Sequence, residues 1–262
     1  MSELITLRCP NCGAPIHTGD VTCEYCGAAL YVGQPSEVAL PALANAQQIA
    51  AAMRERLSAN PYDGDAYYQL GLACFTLQLF EQAENAFLQA QRYSPGTALP
   101  HYFTALAILH GAENEILSIG AFRLHQIQKE LTTAAQLDPN LGEAQAYLQL
   151  VKGLTARNEG DYDGAIPSLR DAVTRLPTLE LGWKVLAACC FQNGDYREAI
   201  RAGSQALQLR PLDEGSAYLV GAAHFRLGEM DETQAYAERV ARLRGDAEAG
   251  EQVLKEYRGE FD

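Results

Sequence analysis

Basic side chains are scarce in this 262-residue chain: 20 lysines and arginines stand against 33 aspartates and glutamates, a formal charge of −13. That balance repels polyanions, so nucleic acid and anionic lipid are not expected as partners. Long hydrophobic runs are missing too. The longest, such as 185–191, last a few residues inside amphipathic patterns, which predicts no membrane insertion. The opening Met-Ser-Glu-Leu-Ile-Thr-Leu-Arg has no apolar core of signal-peptide length and no cleavage signature, and this predicts a cytoplasmic protein. Catalytic signatures are also lacking. His17, His101, His110, His125 and His224 show no His-Glu-x-x-His spacing, and there is neither a glycine-rich phosphate loop nor a Gly-x-Ser-x-Gly elbow. No enzymatic activity is expected.

Against these absences stand four cysteines in the first thirty residues, in two Cys-x-x-Cys pairs: Cys9-Pro-Asn-Cys12-Gly and Cys23-Glu-Tyr-Cys26-Gly. Two intervening residues let one tight turn aim both sulfurs at a single ion, and Gly13 and Gly27 supply the permissive backbone that follows. Four thiolates complete a tetrahedron, so the pattern predicts one structural Zn2+ on Cys9, Cys12, Cys23 and Cys26, with His17 left as a loop residue. A rubredoxin-like iron site is the minor alternative. Disulfides would need an oxidising compartment. The run resembles the short zinc ribbons found at the ends of many bacterial and archaeal multidomain proteins, over residues 7–32. So small a module takes most of its stability from the metal, about 10–16 kcal/mol in comparable cases. Cys74, Cys189 and Cys190 lie in apolar helical stretches, where a thiol acts as a small hydrophobe.

Downstream of residue 60 the chain repeats itself. Trp183-x-x-Leu186-Ala187-x-x-Cys190, Gly194-Asp195-Tyr196, Ala199, Ala206 and Pro211 match, offset for offset, the series Tyr67-x-x-Leu70-Gly71-x-x-Cys74, Ala83, Ala90 and Pro95. A third copy has Gly153, Gly160-Asp161-Tyr162, Ala165, Leu169, Ala172 and Pro177; a weaker one has Gly221, Gly228 and Ala237. The pattern resembles the tetratricopeptide repeat, a helix pair of 34 residues. The resemblance implies an all-α helical solenoid of about five pairs plus caps, with units at 64–97, 98–145, 146–179, 180–213 and 214–245. The second is elongated around Ala112–Gln128. Residues 1–32 form the ribbon, 33–63 a linker and an N-terminal capping helix, and 246–262 a C-terminal capping helix.

In that family, repeat positions 2, 5, 9 and 12 commonly face a concave groove. In register, position 5 holds Tyr68, Tyr102, Leu150, Lys184 and Tyr218, and position 12 holds Phe75, Leu109, Arg157, Phe191 and Phe225. Position 9 includes Leu72 and Leu106, without the lysine, asparagine and arginine of a carboxylate clamp. The implied function is a non-catalytic adaptor that takes a partner peptide on this ring-rich stripe, the ribbon meeting a second partner or an oligomer mate. Two other functions stand beside it: a redox- or metal-responsive regulator acting through the four cysteines, and a nucleic-acid-binding ribbon, which the charge disfavours. A groove closed by the chain itself is the structural alternative. The apolar Ile116, Leu117, Ile119, Phe122, Leu124 and Ile127 lean toward contact with this chain or a partner.

Overall fold

The computed structural model describes residues 40–246 and 249–259, together with the backbone of 7–8 and 15–16. Near the N-terminus, β1 (Leu7–Arg8) and β2 (Pro15–Ile16) pair antiparallel, Leu7 opposite Ile16 and Arg8 opposite Pro15. Cys9, Cys12, Cys23 and Cys26 lie outside the described residues, as do Ala247 and most of the expected linker.

The rest is helical. α1 (Leu43–Ala59) precedes five antiparallel pairs: α2 (Gly64–Thr76) with α3 (Phe80–Tyr93), α4 (Ala98–Gly111) with α5 (Ala121–Leu137), α6 (Gly142–Asn158) with α7 (Tyr162–Arg175), α8 (Glu180–Gln192) with α9 (Tyr196–Leu209), and α10 (Glu214–Leu227) with α11 (Met230–Leu243). α12 (Gly250–Arg258) follows, and a 3-10 turn, Glu113–Ser118, stands between α4 and α5. Each helix packs on the one before it along the chain, the arrangement of a solenoid.

Local chemistry explains where the helices begin and turn. Asp63, Asp161, Asp195 and Asp213 each accept a backbone hydrogen bond two or three residues into the following helix, from Ala66, Gly164, Glu198 and Ser216. In four of the five pairs the short turn between the helices uses a left-handed residue. Gly160, Gly194 and Gly228 supply it at φ near +80°, while Gln78 holds the same place in the first pair at φ 58°.

Between the helices of a pair, a small residue on the first faces a filler on the second. A Cβ on Gly71 would lie 2.4 Å from the Phe87 ring, and one on Gly153 would lie 2.5 Å from Leu169. The fourth pair reverses the arrangement: Ala187 stands on α8 and Gly203 on α9, and the space is filled by Val220 of the next pair, 2.5 Å from a Cβ built on Gly203. At the C-terminal end Tyr257 of α12 reaches over Gly221, and Val253, Leu254 and Tyr257 are buried. At the other end Ala46 and Ala50 of α1 bury Ala73. A polar node joins the first two pairs: Gln91 Nε2 donates to Glu130 Oε2 (3.0 Å) and Thr104 Oγ1 (2.8 Å), and His101 Nδ1 meets the same carboxylate oxygen at 2.6 Å.

The surplus residues are divided in a way the repeat pattern does not announce. One stretch, 112–120, separates α4 from α5, α5 at 17 residues is about a turn longer than the 14-residue α3, and one further turn, 142–145, extends the start of α6. The unit boundary expected at 145/146 therefore falls inside α6, although Gly153 keeps the packing register of Gly71.

Candidate protein-interaction surface

The first helix of each pair carries the twelve residues expected to line a groove, and the structure separates them into two groups. Leu72, Phe75, Tyr102, Leu106, Leu109 and Leu150 are core residues, none more than 4 % exposed. Phe75 meets Phe80, Phe103 and His110 edge-on, with ring centroids 5.5 to 5.8 Å apart. Tyr102 packs edge-on against Tyr147 at 5.9 Å, and its hydroxyl donates to Glu143 (3.2 Å). Tyr68 is half-buried between Phe87 and Phe103, which raises its phenol well above the ordinary range. The expected open stripe over this half is corrected: these rings hold neighbouring units together.

The physical reason is packing between successive units, Phe75 against Phe103 of α4 and Tyr102 against Tyr147 of α6, together with the insertion at the far end of α4. The 3-10 turn of the insertion touches α4 and α8, and Ile116 and Ile119 are 1 % and 4 % exposed within the main core. Arg157, at the end of α6, donates through Nη1 to the Leu117 carbonyl, and Asn158 Nδ2 donates to the Ile119 carbonyl at 2.7 Å. The segment thus crosses the inner ends of three successive first helices. Arg157 is a clasp for this segment.

The second group stays partly exposed. Lys184, Phe191, Tyr218 and Phe225 lie on α8 and α10, which contact each other. Phe191 meets Tyr196 edge-on at 5.4 Å; Tyr218 lies 4.9 Å from the Tyr257 ring with the Arg244 guanidinium 5.8 Å from its centroid. Alanines at 188 and 222 leave the floor between these side chains low. At the base of the surface, Lys184 Nζ donates to Asp213 Oδ1 (2.9 Å), and Arg210 pairs with Glu180 (3.2 Å). Burial, with Asp213 beside it, pushes the Glu180 carboxyl up to about 7 against the pull of Lys184, and a water-sized space of about 10 Å³ adjoins the buried Ser216.

Other features were not expected from sequence. A cavity of about 350 Å³ opens between the start of α3, the end of α4 and the insertion, lined among others by Phe80, Glu84, Ile108, Ile119 and Arg123. Buried His110 is held neutral, its pKa pushed down to about 3 by loss of solvent. Cys74, Cys189 and Cys190 are buried, and burial raises all three thiols, the last to about 12, which makes them poor nucleophiles. Among the described residues no cluster of histidine, cysteine and carboxylate could hold a metal, and no helix is long and apolar enough to cross a membrane.

Residues 5–30 match the zinc-ribbon domain family, and residues 64–97 and 181–213 each match the tetratricopeptide repeat. The zinc-ribbon match speaks for a structural zinc. The peroxisomal targeting signal receptor of Saccharomyces cerevisiae is 31 % identical over 101 residues, 38 % of this chain and 16 % of that protein, so the chain spans a small part of that relative. Two solved structures share the fold. PilW, a widely conserved type IV pilus biogenesis factor, is 18 % identical, with TM-score 0.58, covering 80 % of this chain and 91 % of its own. Pseudomonas aeruginosa pilF is 16 % identical, with TM-score 0.59, covering 83 % and 91 %. Solenoids of this kind are typically adaptors without catalysis. The chain is a tetratricopeptide-repeat protein with a zinc-ribbon domain at its N-terminus.

Proposed function

We propose that the chain is a non-catalytic adaptor whose C-terminal inner face, built from Lys184, Phe191, Tyr218 and Phe225, holds an extended segment of a partner protein. The observation that carries this reading is the division between buried and half-exposed residues at equivalent repeat positions. On α8 and α10 the aromatic rings remain in contact with solvent. Such rings offer large contact area at little entropy cost, and the low floor at Ala188 and Ala222 lets a partner backbone approach. The ribbon, closed by one zinc on Cys9, Cys12, Cys23 and Cys26, is a second docking module. The net charge of −13 directs both modules toward proteins and away from nucleic acid. Similarity to a receptor for a targeting signal supports a protein ligand.

Photo-cross-linking tests the reading. A benzophenone amino acid at Phe225 should capture the same partner in cells as one at Phe191, and one at the exposed Gln208 of α9 should not. Equal capture at all three positions, or none, refutes it.

A further inference from the structure

The insertion behaves like a bound peptide that happens to be covalently attached. It presents two branched aliphatic side chains three residues apart, Ile116 and Ile119, to the core, and two backbone carbonyls, of Leu117 and Ile119, to side-chain donors on α6. Those donors, Arg157 and Asn158, sit on a different unit from the one that carries the insertion, and α8 beyond them completes the seat. The other short turns between paired helices do without such an excursion: Gly160 and Gly194 close them in a few residues. Nothing in helix pairing requires 112–120 to cross toward α8.

We propose that residues 113–120 are a tethered ligand of the chain's own inner face, and that the seat also takes a partner segment carrying two branched aliphatic residues three apart. The occupant already present defines the chemistry: Ile116 and Ile119 join the main core, the turn that carries them touches α4 and α8, and the carbonyls of Leu117 and Ile119 accept from Arg157 and Asn158. A short tether gives the resident segment an effective concentration on the order of millimolar, so a competitor must bind from a neighbouring anchor or at high local concentration. The C-terminal inner face supplies such an anchor. The inference rests on the adaptor reading and extends its surface from α8 and α10 back to α4.

The test uses the full chain and a fluorescent peptide with the sequence of residues 113–120. An Ile116→Ser, Ile119→Ser variant, which weakens the resident, should bind that peptide at least tenfold more tightly than wild type, and a peptide with both isoleucines replaced by serine should bind neither. Equal binding by wild type and variant, or by the two peptides, overturns the proposal. Should the variant lose its helical circular dichroism, hydrogen exchange on wild type decides: millimolar peptide should speed amide exchange across 116–119, and unchanged exchange overturns the proposal. Cross-linking that persists at Phe225 while the peptide fails leaves the adaptor standing and removes this extension alone.

Discussion

Gly71→Ala should destabilise the solenoid even though alanine is the better helix former. A methyl at this position would sit 2.4, 2.5 and 2.9 Å from Cε1, Cδ1 and Cζ of Phe87, where carbon atoms ordinarily rest at about 3.5–4.0 Å. The ring cannot swing aside. It is fully buried, stacked on Phe103 at 5.5 Å with 25° between planes, and tilted against Tyr68 at 6.0 Å. α2 and α3 must therefore part by about 1 Å, and overfilling of this kind costs about 1–3 kcal/mol. The helix-propensity gain of alanine over glycine offsets about 1 kcal/mol of that. A net loss of up to about 2 kcal/mol is expected. Gly142→Ala provides the control: it starts α6, nothing lies within 4 Å of its built Cβ, and the stiffer unfolded chain should raise stability by about 0.4–1 kcal/mol. Urea unfolding followed by far-ultraviolet circular dichroism should move the two midpoints in opposite directions. A Gly71→Ala protein as stable as Gly142→Ala would refute the claim that this glycine exists to admit a ring.

Asp161→Ala should cost about 1 kcal/mol, because its Oδ1 accepts from Gly164 N at 2.8 Å at the start of α7, and Asp161→Asn should restore most of it in the same urea titration. Glu180, raised from 4.5 to about 7 in the folded chain, keeps a proton that the unfolded chain releases, so its share of stability falls as pH rises from about 4.5 to about 7. Glu180→Gln should therefore gain on wild type between pH 5 and pH 7.5; a constant difference would show that the carboxyl is ionised throughout. The His110 contribution runs the other way: it is full above pH 6.5 and lost as pH falls toward 3, and it is common to both proteins in that comparison. Chelation should release one zinc per chain and expose Cys9, Cys12, Cys23 and Cys26 to a thiol reagent. Cys74, Cys189 and Cys190 should react only after denaturation, and the helical signal should persist, since the solenoid has a core of its own. Simultaneous loss of helix on chelation would contradict that independence.

The helix pairs were legible because their physics is local. Aspartate before a helix, glycine in the turn and a small residue eight places into the first helix recur at fixed offsets, and each has a direct structural job in Asp195, Gly194 and Gly71. The groove was legible only in part, because repeat positions say which side chains share a face and not whether something lies over that face. Leu109 and Phe225 occupy corresponding inner places, yet one is fully buried and the other half-exposed. The difference comes from 112–120, whose side chains have no helical period to show where they fold. The available signal was Ile116 and Ile119 themselves: two aliphatic residues in a connecting segment are costly to leave in water. The extra turn of α6 left no mark in sequence, since Gly142 and Glu143 read as easily as a loop as a helix start.

The exchange of roles at Gly203 bears on how the molecule comes apart. Because Val220 of α10 occupies the space that α8 and α9 leave between them, the fourth pair cannot be stripped of its successor without opening a hole in its own interior. Fraying that begins at α12 therefore has no natural stopping place at the α9–α10 joint, and the last two pairs should melt as one cooperative block. A chain cut after residue 213 should lose more than the helices removed.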